Sequence, residues 1–130
     1  MVWLWVALGS ALGGMARYGV GLLTVAWWGT PFPWGTLLIN IFGSFVIVFF
    51  GTLTAAFGPF PAPSDLRTFV MVGLCGGFTT FSSFSQQTLE LIRGEALGAA
   101  AAYVGLSVGL GLLAAAAGYL LAVRIAGGAG

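Results

Sequence analysis

Histidine is absent from this sequence, cysteine occurs once, and charge is nearly missing, with four basic and three acidic side chains in 130 residues. Each lack excludes something. With no histidine and only Cys75, a zinc-type site cannot be assembled and no disulfide can close within the chain. A net charge of +1 offers neither a basic face for nucleic acid nor an acidic one for a basic partner. No nucleophile–base pair, metal cluster or phosphate-binding glycine loop with a lysine is present, so an enzyme is not expected. A soluble domain carries about a quarter charged residues. Here the charged share is 5%, the hydrophobic share 59% and the mean hydropathy +1.06. Such a chain belongs in a bilayer, with almost nothing outside it. Cys75 reads as a small apolar core residue. The N-terminus has no basic stretch ahead of its apolar run, so a cleaved signal peptide is not expected and the first helix is retained.

At about 20 residues per crossing, the length accommodates four spans and little else. They are expected at 2–28, 34–57, 66–92 and 96–123, in one transmembrane domain. Proline and glycine mark two joints, Gly29-Thr30-Pro31-Phe32-Pro33 and Gly58-Pro59-Phe60-Pro61-Ala62-Pro63. Ser64 or Asp65 is expected to cap the third helix, and Arg93-Gly94-Glu95 to form a short turn into the fourth. Trp3, Trp5, Trp27, Trp28 and Trp34 fall at span ends, as an aromatic belt does. Four spans put Arg67 and Arg124 on one side of the membrane, with Arg93 and Arg17 toward the other. That balance gives no positive-inside bias, and the chain could insert in both orientations. Gly9-xxx-Gly13, Gly94-xxx-Gly98 and Gly105-xxx-Gly109 are spacings that let helices approach closely.

The least ordinary stretch is 73–85, Gly-Leu-Cys-Gly-Gly-Phe-Thr-Thr-Phe-Ser-Ser-Phe-Ser. A break near the middle of the third helix is expected at Gly76-Gly77, since glycine weakens helix, and irregular backbone at membrane depth must be buried in protein or line a wet cavity. Beyond it Thr79, Ser82, Ser83, Gln86 and Glu90 share a face at helical spacing, with Phe81 and Phe84 on a neighbouring one. The second span carries Thr36, Asn40 and Ser44 four residues apart, and the fourth Tyr103 and Ser107, continued by Gly111. A lone hydroxyl in such a helix usually bonds its own backbone. Three polar lines and a buried amide ask for more, because an amide in hydrocarbon needs a partner. Hydroxyls, an amide and ring edges are donors suited to an anion, whereas cation pathways more often show acidic rings. The chain is therefore expected to handle a small ion. Arg17, two-thirds along the first span, either snorkels to the interface or faces a wet vestibule and draws anions inward.

Gly13-Gly14 with Arg17-Tyr18, Gly35-Thr36-Leu37 with Asn40 and Gly43-Ser44-Phe45, and the run from Gly76 to Ser85 resemble the Fluc/CrcB fluoride channels. The resemblance covers all four spans. It implies an all-α membrane subunit of four transmembrane helices, the third broken, that pairs as an antiparallel, dual-topology homodimer. It implies a passive channel with two pores per dimer, exporting fluoride across the cell (inner) membrane. By the same resemblance, Asn40, Phe81 and Phe84 face the pore, with Ser82, Ser83 and Ser85 as a third-helix hydroxyl track and Tyr103 and Ser107 from the fourth helix. Thr36 continues the line of Asn40. A structural sodium ion at the dimer interface would be held by the backbone carbonyls of Gly76 and Thr79. Gln87 stands where the family often has a glutamate, and Gly111 where it has a further hydroxyl. The alternatives are a small four-helix proton-coupled exporter, which needs a first-helix carboxylate that this chain lacks, and a non-transporting assembly subunit, which leaves the polar lines unexplained.

Overall fold

Apolar runs separated by proline-rich joints become helices of membrane-crossing length. The computed structural model describes residues 1–128, and four of its helices are long and apolar enough to span a bilayer: Val2–Trp28, Trp34–Leu53, Ser64–Arg93 and Leu97–Gly128. The third is interrupted. It runs through Ser64–Arg67, a π-helical stretch Thr68–Cys75 and Gly76–Phe78, then resumes over Phe81–Arg93.

The helix ends depart from the expected boundaries for local reasons. The second helix stops at Leu53 rather than 57, and Arg67 braces that end. Its Nη1 donates to the Gly51 carbonyl at 3.0 Å and to Thr54 Oγ1 at 2.6 Å, a cation at the negative pole of the helix. Neither Ser64 nor Asp65 caps the third helix. Pro63 occupies the cap position without a side-chain bond, and Asp65 lies inside the first turn, where its charge still suits the dipole. The turn at 93–95 closes through Glu95 at φ 60, a left-handed conformation uncommon for a residue with a Cβ. The fourth helix begins at Leu97 and runs on past 123 to Gly128, since no proline interrupts it.

Glycine explains the tightest packing. The first helix crosses the third with Gly9 and Gly13 against Gly73 and Gly77. A Cβ at Gly73 would come 2.9 Å from Gly9 Cα, and one at Gly77 would come 2.6 Å from the Ser10 carbonyl oxygen. This corrects the expected position of the break. Gly77 is a contact glycine, Gly76 is ordinary helix at φ −64 and ψ −37, and the chain leaves the helix three residues later, at Thr79 and Thr80. The fourth helix lies along the second, where Gly118 admits the Phe45 carbonyl at 2.6 Å from a would-be Cβ. A Cβ at Gly98, Gly105 or Gly109 would meet nothing within 4 Å, so among the described residues their spacing serves no contact. Leu37, Leu91, Ala100 and Tyr103 form the buried cluster, with Phe32 and Phe84 packed on it. Cys75 is buried, as expected of a small apolar side chain.

Candidate functional site

The site is built on the break. Thr79 (φ −79, ψ 157) and Thr80 (φ −154, ψ 117) are extended; the Thr79 N–H still reaches the Cys75 carbonyl at 2.9 Å, but the Thr80 N–H and carbonyl lose their helical partners. Asn40, from the middle of the second helix, replaces them. Its Nδ2 donates to the Thr80 carbonyl at 3.0 Å, and its Oδ1 accepts from the Thr80 N–H at 2.9 Å. One side-chain amide thus pairs with both backbone polar groups of one residue. The second Nδ2 hydrogen stays available. Ser44 Oγ donates to the Asn40 carbonyl at 2.6 Å. Gly43, one turn along, has no Cβ because the Thr79 methyl occupies that space.

Thr80 then caps the resumed helix. Its Oγ1 accepts from the Ser83 N–H at 3.2 Å, donates to Ser83 Oγ at 3.1 Å, and lies 3.2 Å from Ser82 Oγ. An N-cap threonine of this kind satisfies one of the orphan donors at a helix start. Thr79 is turned away from the expected polar face, since it precedes the resumed helix and its Oγ1 bonds back to the Cys75 carbonyl at 2.9 Å.

Two cavities flank the break. The larger, about 860 Å³, is a vestibule between the first two helices and the second half of the third. Arg17, Thr36, Ser83, Gln87 and Glu90 line it. It carries one cation and one carboxylate. Arg17 Nε is buried with no hydrogen-bond partner among the described residues, while Glu90 Oε1 accepts from Gln86 Nε2 at 2.9 Å. The smaller cavity, about 310 Å³, is lined by Asn40, Ser44, Phe81, Phe84 and Ser107 among others, none of them charged. Ser107 Oγ is buried there, also without a partner among the described residues.

The sequence-derived candidates therefore divide. Asn40, Phe81, Phe84 and Ser107 meet at the smaller cavity, and Arg17, Thr36 and Ser83 at the vestibule. Phe81 and Phe84 have ring centroids 5.5 Å apart, but Phe81 is 78% exposed while Phe84 packs against Tyr103 at 5.2 Å. Tyr103 lines neither cavity. It is wholly buried and donates its hydroxyl to Gln87 Oε1 at 2.8 Å, so the fourth-helix line splits between core and cavity. Ser82 and Ser85 point outward on the exposed face that also carries Gln86, and Ser85 Oγ only returns to the Phe81 carbonyl. Gly76 is exposed, and the N–H that an unbroken helix would give its carbonyl, that of Thr80, goes to Asn40 instead. Thr80 was the residue missed. The signal for it was the Thr-x-x-Ser spacing ahead of a helix start, legible only once the break is placed after Phe78.

The family described as CrcB-like protein, Camphor Resistance (CrcB), matches residues 4–119. A "Fluoride-specific ion channel FluC" of Methylocella silvestris is 53% identical over 125 residues, covering 96% of this chain and 95% of that protein. One of the same name from Methylobacterium radiotolerans is 52% identical, covering 95% of this chain and 86% of its own. A third, from Opitutus terrae, is 48% identical over 95% of this chain and 94% of its own.

Proposed function

The chain belongs to the CrcB-like family, and on that premise we propose that it is a multi-pass membrane protein forming a passive, fluoride-specific ion channel. The observation that carries the reading is the donor-rich lining at the helix break, where two cavities adjoin at Thr80 and the smaller one, which Asn40 lines, has no charged residue in its wall. Fluoride is small and strongly hydrated, so a narrow path must offer donors in place of water. Hydroxyls, an amide hydrogen and ring edges do so without the deep well of a fixed cation, and the ion can leave as well as enter. Conduction requires no covalent chemistry, and the protein is not an enzyme. A proton-coupled exporter would place an ionisable group in the smaller cavity, and the residues lining that cavity include none.

In this reading Arg17 gathers anions in the vestibule, and Thr36 and Ser83 line their way to the break. Asn40 contributes its free amide hydrogen, Phe81 and Phe84 their ring edges, and Ser107 its unpartnered hydroxyl. Tyr103 acts from behind, holding Phe84 and Gln87 in place. Ser82 and Ser85 face out of the single chain, as do Phe81 and Gln86. Hydroxyls and amides left in hydrocarbon cost several kcal/mol each. This supports burial of that face against a second copy, giving an antiparallel, dual-topology homodimer with two pores. The even split of arginines is compatible with either orientation. In the cell (inner) membrane such a channel would let fluoride leave the cytoplasm.

A sodium ion fits as a half-site only. The carbonyl of exposed Gly76 is released from its helical donor, and Thr79 leads out of the helix beside it. Two carbonyls from one chain and two from an antiparallel partner would form an oxygen shell for a hard cation. Bound there, sodium would supply positive charge that offsets the freed carbonyl dipoles.

The experiment is efflux from liposomes holding fluoride and chloride together, read with ion-selective electrodes. Fluoride should leave and chloride stay, with no pH gradient imposed. Equal loss of both ions, or of neither, would remove the proposal.

A further inference from the structure

Among the described residues, the vestibule and the smaller cavity share a single lining residue, Thr80. We infer that Thr80 is the neck of the conduction path, a specificity-determining side chain whose hydroxyl passes a partly dehydrated fluoride ion from one cavity to the other. The inference rests on the reading of the chain as a fluoride channel.

Place is the first ground, since a route between the two cavities must pass the one residue that lines both. Rigidity is the second. Both backbone polar groups of Thr80 are tied to Asn40, and the residue is 9% exposed, so the hydroxyl is held at a fixed point between the two cavities. Asn40 is then a positioning residue for Thr80 as well as a donor. Chemistry is the third ground. The Ser82 and Ser83 hydroxyls lie 3.2 and 3.1 Å from the Thr80 hydroxyl oxygen, and each of the three carries one rotatable proton. Thr80 Oγ1 donates its proton to Ser83 Oγ. An arriving anion can turn that proton toward itself while the serines re-pair. The exchange gives up a neutral hydrogen bond for a charge-assisted one of about twice the strength. The swap discriminates between anions. Fluoride, the better acceptor, gains more from a close hydroxyl than a larger halide does, and no cation stands at the neck to trap it.

Thr80 also caps Phe81–Arg93, so its replacement could act through the fold alone. Cap-competent substitutes separate the two roles, because Ser and Asp cap helices at least as well as Thr. Full-length wild-type, Thr80→Ser, Thr80→Val and Thr80→Asp proteins are reconstituted in liposomes, with helicity by circular dichroism and elution on size exclusion as fold checks. Fluoride and chloride efflux are then measured. Thr80→Ser should stay within about threefold of wild type. Thr80→Asp should elute and fold as wild type yet lose fluoride flux at least tenfold, because it keeps the cap and places an anion in the neck. Thr80→Val should lose a similar factor, and its fluoride-to-chloride ratio should fall. Wild-type fluoride flux in a folded Thr80→Asp protein overturns the neck role while leaving the channel reading in place. If Thr80→Val fails to fold, Thr80→Asp alone decides. A silent wild-type protein overturns the channel reading, and the neck role with it.

Discussion

Replacing Asn40 by aspartate removes one half of the clamp on the break and keeps the other. The carboxylate can still accept from the Thr80 N–H, now 2.9 Å away, but its second oxygen faces the Thr80 carbonyl across the 3.0 Å formerly spanned by an N–H donor. Two acceptors then confront each other, and the carbonyl is left without its partner. An unsatisfied buried acceptor costs about 1–3 kcal/mol, and loss of a donor to a charged group about 1.5–3 kcal/mol. The lost donor alone reduces fluoride flux about tenfold or more, at 1.4 kcal/mol per factor of ten, while the unpaired carbonyl weighs on stability. Asn40→Leu removes both bonds and provides the control. Amide hydrogen exchange of Thr80 should stay slow in Asn40→Asp, which keeps the acceptor, and become fast in Asn40→Leu. Flux should be lost in both, measured by fluoride electrode on protein that elutes as wild type. Near-wild-type flux from folded Asn40→Asp would falsify the placement of Asn40 at the conduction path. Slow exchange at Thr80 in the leucine variant would show that the clamp is not what holds the break.

Phe81→Ile and Phe84→Ile should both lower flux severalfold or more while differing in stability. Phe84 packs on Tyr103, so its loss should cost about 1–1.5 kcal/mol, whereas 78%-exposed Phe81 should cost less within one chain; equal flux to wild type in both variants would take the rings out of the pore. Gly77→Ala should disrupt the crossing of the first and third helices, because its Cβ would lie 2.6 Å from the Ser10 carbonyl oxygen, and thermal aggregation should begin well below wild type. Gly105→Ala meets nothing within 4 Å in one chain, so a loss of assembly in membrane cross-linking would place a second copy there, and no loss would exclude it from the interface. Single cysteines in the 58–63 joint, made on a Cys75→Ala background, should react with an impermeant maleimide from both faces of the membrane; labelling from one face only would rule out dual topology.

Helix number and the two proline joints were legible from sequence, because apolar length and turn chemistry are local properties. What was hidden depends on pairs distant along the chain. Gly76-Gly77 read as a helix breaker, yet Gly77 is spent on contact with Ser10, and the break falls where Asn40, forty positions away, accepts the Thr80 N–H. The π-helical winding of Thr68–Cys75 has no compositional mark. Tyr103 and Ser107 share a helical spacing, but only the packing of Phe84 and Gln87 decides that one is core and the other lines a cavity.

The central claim is passive, fluoride-selective conduction, and the most direct measurement is the reversal potential of the purified protein in a planar bilayer. Fluoride and chloride are set in opposite gradients, at equal pH on both sides. The account predicts a current that reverses at the fluoride equilibrium potential and does not move when the chloride gradient is changed. Reversal at the chloride potential, or fluoride movement that carries no current and requires a pH difference, would contradict it.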